Sequence, residues 1–257
     1  MDKIIIKTSD REIIIPDRKE VLLIDNPDFP EGGQRPVDRD LRIVIGQYCR
    51  VQYVSIRSGQ TDPDREEKRE MILGDHSRLD SYRAYFGSGG SRINFINRLG
   101  QGSELDSRVF FYQKSEAALE AQDNYIFTAP DSRGRFSVTG LLSGTASAKY
   151  YSDIVIDPIA QGTDSRIDMK LYLLDPGAKG VILPGLKIAA NEVKAGHGAS
   201  TFQLSPEDLF YLRCRGLSEA QAKSLVINSL AARFTDGLLD KSLKEIILKQ
   251  ISGPNVL

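Results

Sequence analysis

Few side chains in this sequence can do metal or nucleophilic chemistry: among 257 residues there are two histidines and two cysteines. His197 stands between Gly196 and Gly198, which leave the backbone unencumbered and the imidazole unobstructed. A neutral imidazole there is competent to bind a transition metal. The same ring could instead pack at an end of a β-core or hydrogen-bond a partner. His76, within Gly74-Asp75-His76-Ser77, reads as a turn residue. Cys49 sits in the strand pattern Gly46-Gln47-Tyr48-Cys49-Arg50-Val51 and reads as a buried structural thiol rather than a reactive one. Cys214 falls in a predicted helix and has no assigned role. Gly87-Ser88-Gly89-Gly90 lacks the Gly-Lys-Ser/Thr ending of a phosphate loop, and neither a Gly-x-Ser-x-Gly elbow nor a Cys-x-x-Cys pair is present. No nucleotide hydrolysis is expected of this chain.

The elements that must position these residues are mostly strands. Ile4-Ile5-Ile6, Glu12 to Ile15 and Val21 to Ile24 are β-branched runs separated by the turn signals Ser9-Asp10 and Pro16-Asp17. A loop rich in Pro, Gly and Asp covers Asn26 to Asp40, and a strand pattern follows from Leu41 to Ile56. Thr61 to Glu70, with charges of both signs, reads as a solvated loop. Ser115 to Gln122 fits a short helical turn or a strand-edge loop equally well.

From Arg135 to Ser200 an irregular repeat emerges. Aliphatic strands near Val138 to Leu142, Ile154 to Ile156, Leu171 to Leu174 and Leu186 to Ala189 recur about every 14 to 18 residues, each followed by small residues. Periodicity of this kind suits the coils of a β-solenoid, in which stacking buries what one coil alone cannot, and it suits an ordinary β-sandwich as well.

The character changes at Ser205. Ser205-Pro206-Glu207-Asp208 supplies an N-cap, a proline at the first helical position and first-turn acids, and Gly216 stops the helix. Ser218-Glu219-Ala220-Gln221 is a capping box, and Ala222, Leu225, Val226, Leu230 and Phe234 line one face of the helix it opens. A third helix runs from about Leu238 to Ile251, presenting Leu239, Leu243, Ile246, Ile247 and Ile251. Residues 1–204 are therefore read as a β-core and 205–257 as a helical domain, an α+β chain that is mostly β. Removing the residues after Ser205 is expected to leave that core folded.

Composition narrows the function classes. A formal net charge of −1 gives no electrostatic case for nucleic acid or membrane partners, and no apolar run approaches a membrane span. Met1-Asp2-Lys3 does not open a signal peptide, and two distant cysteines are no disulfide framework, so a cytoplasmic location is expected.

Several stretches resemble the SufB/SufD family of iron–sulfur cluster assembly scaffolds. They are Leu142-Ser143-Gly144-Thr145-Ala146, Pro158-Ile159-Ala160-Gln161-Gly162-Thr163-Asp164, Glu192 to Ser200 around His197, and Leu209-Phe210-Tyr211-Leu212-Arg213-Cys214-Arg215-Gly216. Together they span about Arg135 to Ser229, in the family's order. The resemblance implies a right-handed parallel β-helix core followed by a C-terminal helical segment. It implies a non-catalytic, SufD-like scaffold subunit that works beside a SufB-like or identical scaffold chain and a SufC-like ATPase. The helical domain, with Phe210, Tyr211, Arg213 and Arg215, would carry the ATPase contact, and the His197 segment would lie where the two scaffold subunits meet.

Departures from the family pattern also carry information. Ala195 stands where family members usually have cysteine, and Tyr125-Ile126-Phe127-Thr128-Ala129 lacks a histidine common in that coil. His197 is left as the candidate cluster and metal ligand. A cluster needs about four ligands, mostly thiolates, so one histidine cannot hold it. The isolated chain is expected to bind no cofactor, and a transient iron–sulfur cluster is expected only in the complex. Two competing readings are a stand-alone β-helix interaction protein and a β-helix polysaccharide-active enzyme.

Overall fold

The computed structural model describes residues 1–7, 9–25, 40–58, 66–87, 89–203, 210 and 214–252. Its strands alternate between two parallel sheets. The first sheet holds β1 (Asp2–Ile5), β3 (Glu20–Asp25), β5 (Arg50–Ser58), β7 (Arg78–Gly87), β9 (Glu104–Gln113), β11 (Arg133–Leu142), β13 (Asp164–Leu173) and β15 (Lys194–Gln203), in that spatial order. The second holds β2 (Glu12–Ile15), β4 (Asp40–Ile45), β6 (Glu66–Leu73), β8 (Gly90–Leu99), β10 (Ala118–Phe127), β12 (Ser147–Ile156) and β14 (Lys179–Ile188). Each strand therefore pairs with the strand one coil earlier and one coil later. The result is a right-handed parallel β-helix.

Alternation within the strands explains the core. In β10, Leu119, Ala121, Tyr125 and Phe127 are buried while Ala118 and Glu120 face solvent. In-register pairing aligns each inward residue with its counterpart in the next coil, as Leu119 aligns with Ala148 and Tyr125 with Ile154. One continuous column of aliphatic and aromatic side chains fills the space between the sheets, from Ile15 to Ala190.

The repeat read at Arg135 to Ser200 is the second half of a pattern that begins at the N-terminus. The Leu41–Ile56 stretch is two strands, β4 and β5, joined by a turn through Gln47 and Tyr48. Part of the Thr61–Glu70 loop is strand as well, since β6 starts at Glu66; residues 61–65 lie outside the described residues, as does 26–39 of the predicted loop. Ser115 and Glu116 form a turn, and β10 follows from Ala118, so neither a helix nor a loop occupies Ala118–Gln122.

Two helices follow the coils: α1 (Glu219–Phe234) and α2 (Lys241–Ser252). The capping box is present, with Gln221 N donating to Ser218 Oγ at 3.2 Å and Ser218 N donating to Gln221 Oε1 at 2.8 Å. The buried face of α1 is Ala222, Ile227, Ala231 and Phe234, whereas Leu225 is 53% exposed. The expected stripe is therefore rotated, because Ile227 and Ala231 meet the sheet. Of the predicted helix between Ser205 and Arg215, only Phe210, Cys214 and Arg215 are among the described residues.

These helices are not a detached appendage. Phe234, Ile227, Leu243, Ile247 and Ile251 share a hydrophobic cluster with the outward residues Val54, Ile56, Tyr82, Ala84, Phe86, Phe110 and Tyr112 of the first sheet. Phe234 packs on Phe110 at 5.5 Å and on Tyr82 at 6.0 Å between ring centroids. Gln52, buried in β5, bonds both the Gly237 carbonyl and the Leu239 N–H. Strands β5, β7 and β9 are accordingly apolar on both faces along much of their length. Removing the helices would uncover that second face, so a β-core cut after Ser205 would expose an apolar surface. Phe234→Ala should lower unfolding free energy by about 3–5 kcal/mol, measurable by denaturant titration.

Asp240 fastens α2 at its start. Its Oδ1 accepts from the N–H groups of Ser242 and Leu243 at 3.0 and 3.1 Å, and its Oδ2 accepts from Lys3 Nζ of β1 at 3.0 Å. The Ser242 hydroxyl, donating to Oδ1 at 2.6 Å, together with Lys3 holds the carboxyl down to about 2, against an unfolded value of about 3.9. A depressed carboxylate stabilises the fold above its unfolded pKa, and that contribution fades as pH falls from about 4 toward 2. Asp240→Asn should therefore lower the melting temperature at pH 7 and flatten its dependence on pH between about 4 and 2, as read by thermal scans across that range.

Candidate functional site at the open end of the β-helix

Among the described residues, no coil lies above the last one. Strands β14 and β15 each end their sheet, so each presents one unpaired edge. Pro184 interrupts the donor row of β14, a position that an edge strand tolerates. Val181, Leu183, Ile188 and Phe202 are exposed around this end.

His197 lies on β15, and register aligns it with Ile167 of β13, a core residue at 0% exposure. Neighbours in a parallel pair face the same side, so His197 continues the inward column. It is nevertheless exposed, because no coil among the described residues covers it. Gly196 and Gly198 occupy the opposite face, where a side chain at Gly198 would come within 3.0 Å of Asp168 Oδ1. Along that face Arg166 and Asp168 form an ion pair at 2.8 Å. Glycines thus keep the strand close to the pair, while the imidazole emerges at the mouth of the β-helix.

Among the described residues, no other sequence-predicted residue joins His197. Ala195 is aligned with Ser165. Cys49 is buried far along the column, its Sγ–H donating to the Pro16 carbonyl at 3.1 Å. His76 is a turn residue with φ 55°. Phe210 is 68% exposed and Arg215 is exposed; Tyr211 and Arg213 lie outside the described residues. Among the described residues, no three His, Cys, Asp or Glu side chains converge to hold a metal ion.

Sequence reasoning missed a polar layer inside the β-helix. Arg83 of β7 reaches across to Asp123 of β10 in a two-bond pair, both bonds at 2.7 Å, and both side chains are 1% exposed. Asp123 also accepts from Tyr125 and Tyr150 at 3.1 and 2.7 Å, and Arg83 Nη2 donates to Ser107 Oγ at 3.0 Å. Burial and then the Asp123 charge push both tyrosines far above their ordinary range, so they act as donors. A second buried group joins Asp25, Tyr53, Arg57 and Arg69. Burial alone would raise the Asp25 carboxyl, but Arg57 and Arg69 outweigh it and hold it well below the carboxylate range. Inward charges at alternate strand positions were the available signal, hidden because each partner lies tens of residues away.

With this geometry established, comparison with known proteins is informative. Residues 13–230 match the family described as SUF system FeS cluster assembly, SufBD core domain. The chain belongs to the SufBD family. An iron–sulfur cluster assembly SufBD family protein of Mycobacterium bovis is 31% identical over 217 residues, which make up 80% of this chain and 53% of that protein. The iron–sulfur cluster assembly protein SufD of Escherichia coli is 35% identical over 89 residues, 35% of this chain and 21% of its own length. A SufD of Plasmodium falciparum is 26% identical over 166 residues, covering 64% of this chain and 11% of that protein. The chain spans about half the length of the mycobacterial relatives. The SufBD match begins in β2 and ends in α1, well beyond the Arg135–Ser229 stretch legible by motif.

For a SufBD chain, the buried pair tests how the β-helix is held. Asp123→Asn leaves Arg83 charged and uncompensated in the core, and should cost about 3–5 kcal/mol. Replacing both residues together, as Arg83→Met with Asp123→Leu, should recover much of that loss in the same denaturant measurement.

Proposed function

We propose that this chain serves as a SufD-like scaffold subunit of an iron–sulfur cluster assembly complex and is not itself a catalyst. The observation that carries the reading is the last coil, uncovered among the described residues, where a histidine stands in line with the core and still faces solvent. Unpaired strand edges with exposed Val181, Leu183 and Phe202 suit a second scaffold chain, SufB-like or identical, laid against β14 and β15. A cluster is the cargo of such a complex. His197 can offer it one nitrogen, and the thiolates must come from the facing subunit. Alone, the chain binds no cofactor in this reading.

The helices α1 and α2 are clamped to the first sheet, yet Leu225 of α1 and Leu239 in the link to α2 remain 53% and 62% exposed. That surface, together with Phe210, Tyr211, Arg213 and Arg215, suits docking of a SufC-like ATPase, which would supply the energy that this chain cannot. No described helix is long and apolar enough to cross a membrane. The reading places the chain in the cytoplasm, without membrane or nucleic acid partners.

His197→Ala tests the site. The ring is exposed and leaves no cavity, so unfolding free energy should stay within about 0.5 kcal/mol. Iron and sulfide loading of the reconstituted complex should drop severalfold. Normal loading by the variant complex would remove His197 from any cluster site, and a large loss of stability would mark it as a structural residue.

A further inference from the structure

Six successive coils turn the same corner through one residue in left-handed backbone: Arg18 (φ 61°), Tyr48 (58°), His76 (55°), Gly102 (61°), Asp131 (63°) and Gly162 (74°). The N–H of each donates to a carbonyl of the next coil, as from Arg18 to Gln47 at 2.8 Å, Tyr48 to Asp75 at 3.0 Å and His76 to Gln101 at 2.8 Å. The corner therefore requires positive φ, for which glycine is the least strained choice. The later coils follow that rule with glycine or aspartate. The first three carry large side chains against it, and strain kept at consecutive positions points to a purpose other than the turn.

Those side chains make an exposed stack. The Tyr48 and His76 rings lie 5.2 Å apart at 21°, and the Arg18 guanidinium sits 5.9 Å from the Tyr48 centroid. Gly102 makes room for the imidazole: a side chain there would come within 2.6 Å of His76 Nδ1. Beside the stack is a cavity of about 510 Å³ lined by Tyr48, Arg50, His76, Arg78 and Glu104, among others. Arg78 is committed, held by Asp80 at 3.0 Å and Glu104 at 3.1 Å. Arg50, its register neighbour, is exposed, and its guanidinium has no hydrogen bond or ion pair among the described residues. The pocket thus joins two exposed, mutually stacked rings to one guanidinium without a side-chain partner among the described residues.

We propose that this corner binds a nucleoside phosphate, with the base packed on the Tyr48–His76 rings and the phosphate on Arg50. Rings supply a sequence-tolerant stacking surface for a base, and a guanidinium pairs with phosphate through charge-assisted hydrogen bonds. The corner is separate from β14, β15 and His197, so the inference stands independently of the scaffold reading.

The probe is AMP, titrated calorimetrically into the purified chain at low salt, with adenosine and inorganic phosphate in parallel. AMP should bind saturably and more tightly than either fragment. Arg50→Gln should weaken AMP by about tenfold or more and leave adenosine unchanged. Tyr48→Gly relieves the left-handed strain, so it should abolish binding while the melting temperature holds or rises. Absence of saturable AMP binding to the wild-type chain would overturn the proposal. So would a Tyr48→Gly chain that melts earlier yet binds AMP normally, since the stack would then serve only to hold the corner.

Discussion

Everything in this molecule depends on one constraint: each coil hydrogen-bonds in register to the coil before it. A position in one coil is thereby stacked on the same position in the next, and side-chain choices are made by column. The corner before the first sheet shows this clearly. Cys49, Ser77, Ser103, Ser132 and Thr163 are all buried at equivalent corner positions, and each hydroxyl or thiol bonds a nearby carbonyl, as Ser77 does to Gly46 at 2.6 Å and Thr163 to Ala160 at 2.8 Å. Cys49 belongs to that column as a small donor, which is a fuller account of the thiol than its burial alone.

Stacking also explains why the two sheets differ. The second sheet is alternately apolar and polar over most of its length, whereas the middle strands of the first are buried on both faces under α1 and α2. The helices are tied at both ends of their contact, by Lys223 to Asp175 at 2.8 Å and by Asp240 to Lys3 at 3.0 Å. Core and helices thus form one packed body.

Strong local signals were legible in the sequence. The Ser218–Gln221 capping box, the glycine-flanked His197 and the later coils could be read because short-range rules govern them. The N-terminal coils were not legible as a repeat. Their corner residues are Arg, Tyr and His rather than glycine, so the turns read at Pro16-Asp17 and His76 did not stand out as members of one repeat. Thr61 to Glu70 looked solvated because charge normally marks surface. Arg69 is buried instead, since its partner Asp25 lies in another coil and cannot be seen by local inspection. The exposure of His197 likewise follows from its strand being last in its sheet, a fact of topology.

The two ends of the β-helix are unequal, and that inequality bears on how copies of the chain can associate. At the first end the edge strands β1 and β2 have four residues each; at the last, β14 and β15 have ten. Two last coils brought together about a two-fold axis would match ten residues to ten, and the contact would close on itself. The β14–β15 end is thus answered most fully by an edge of its own length.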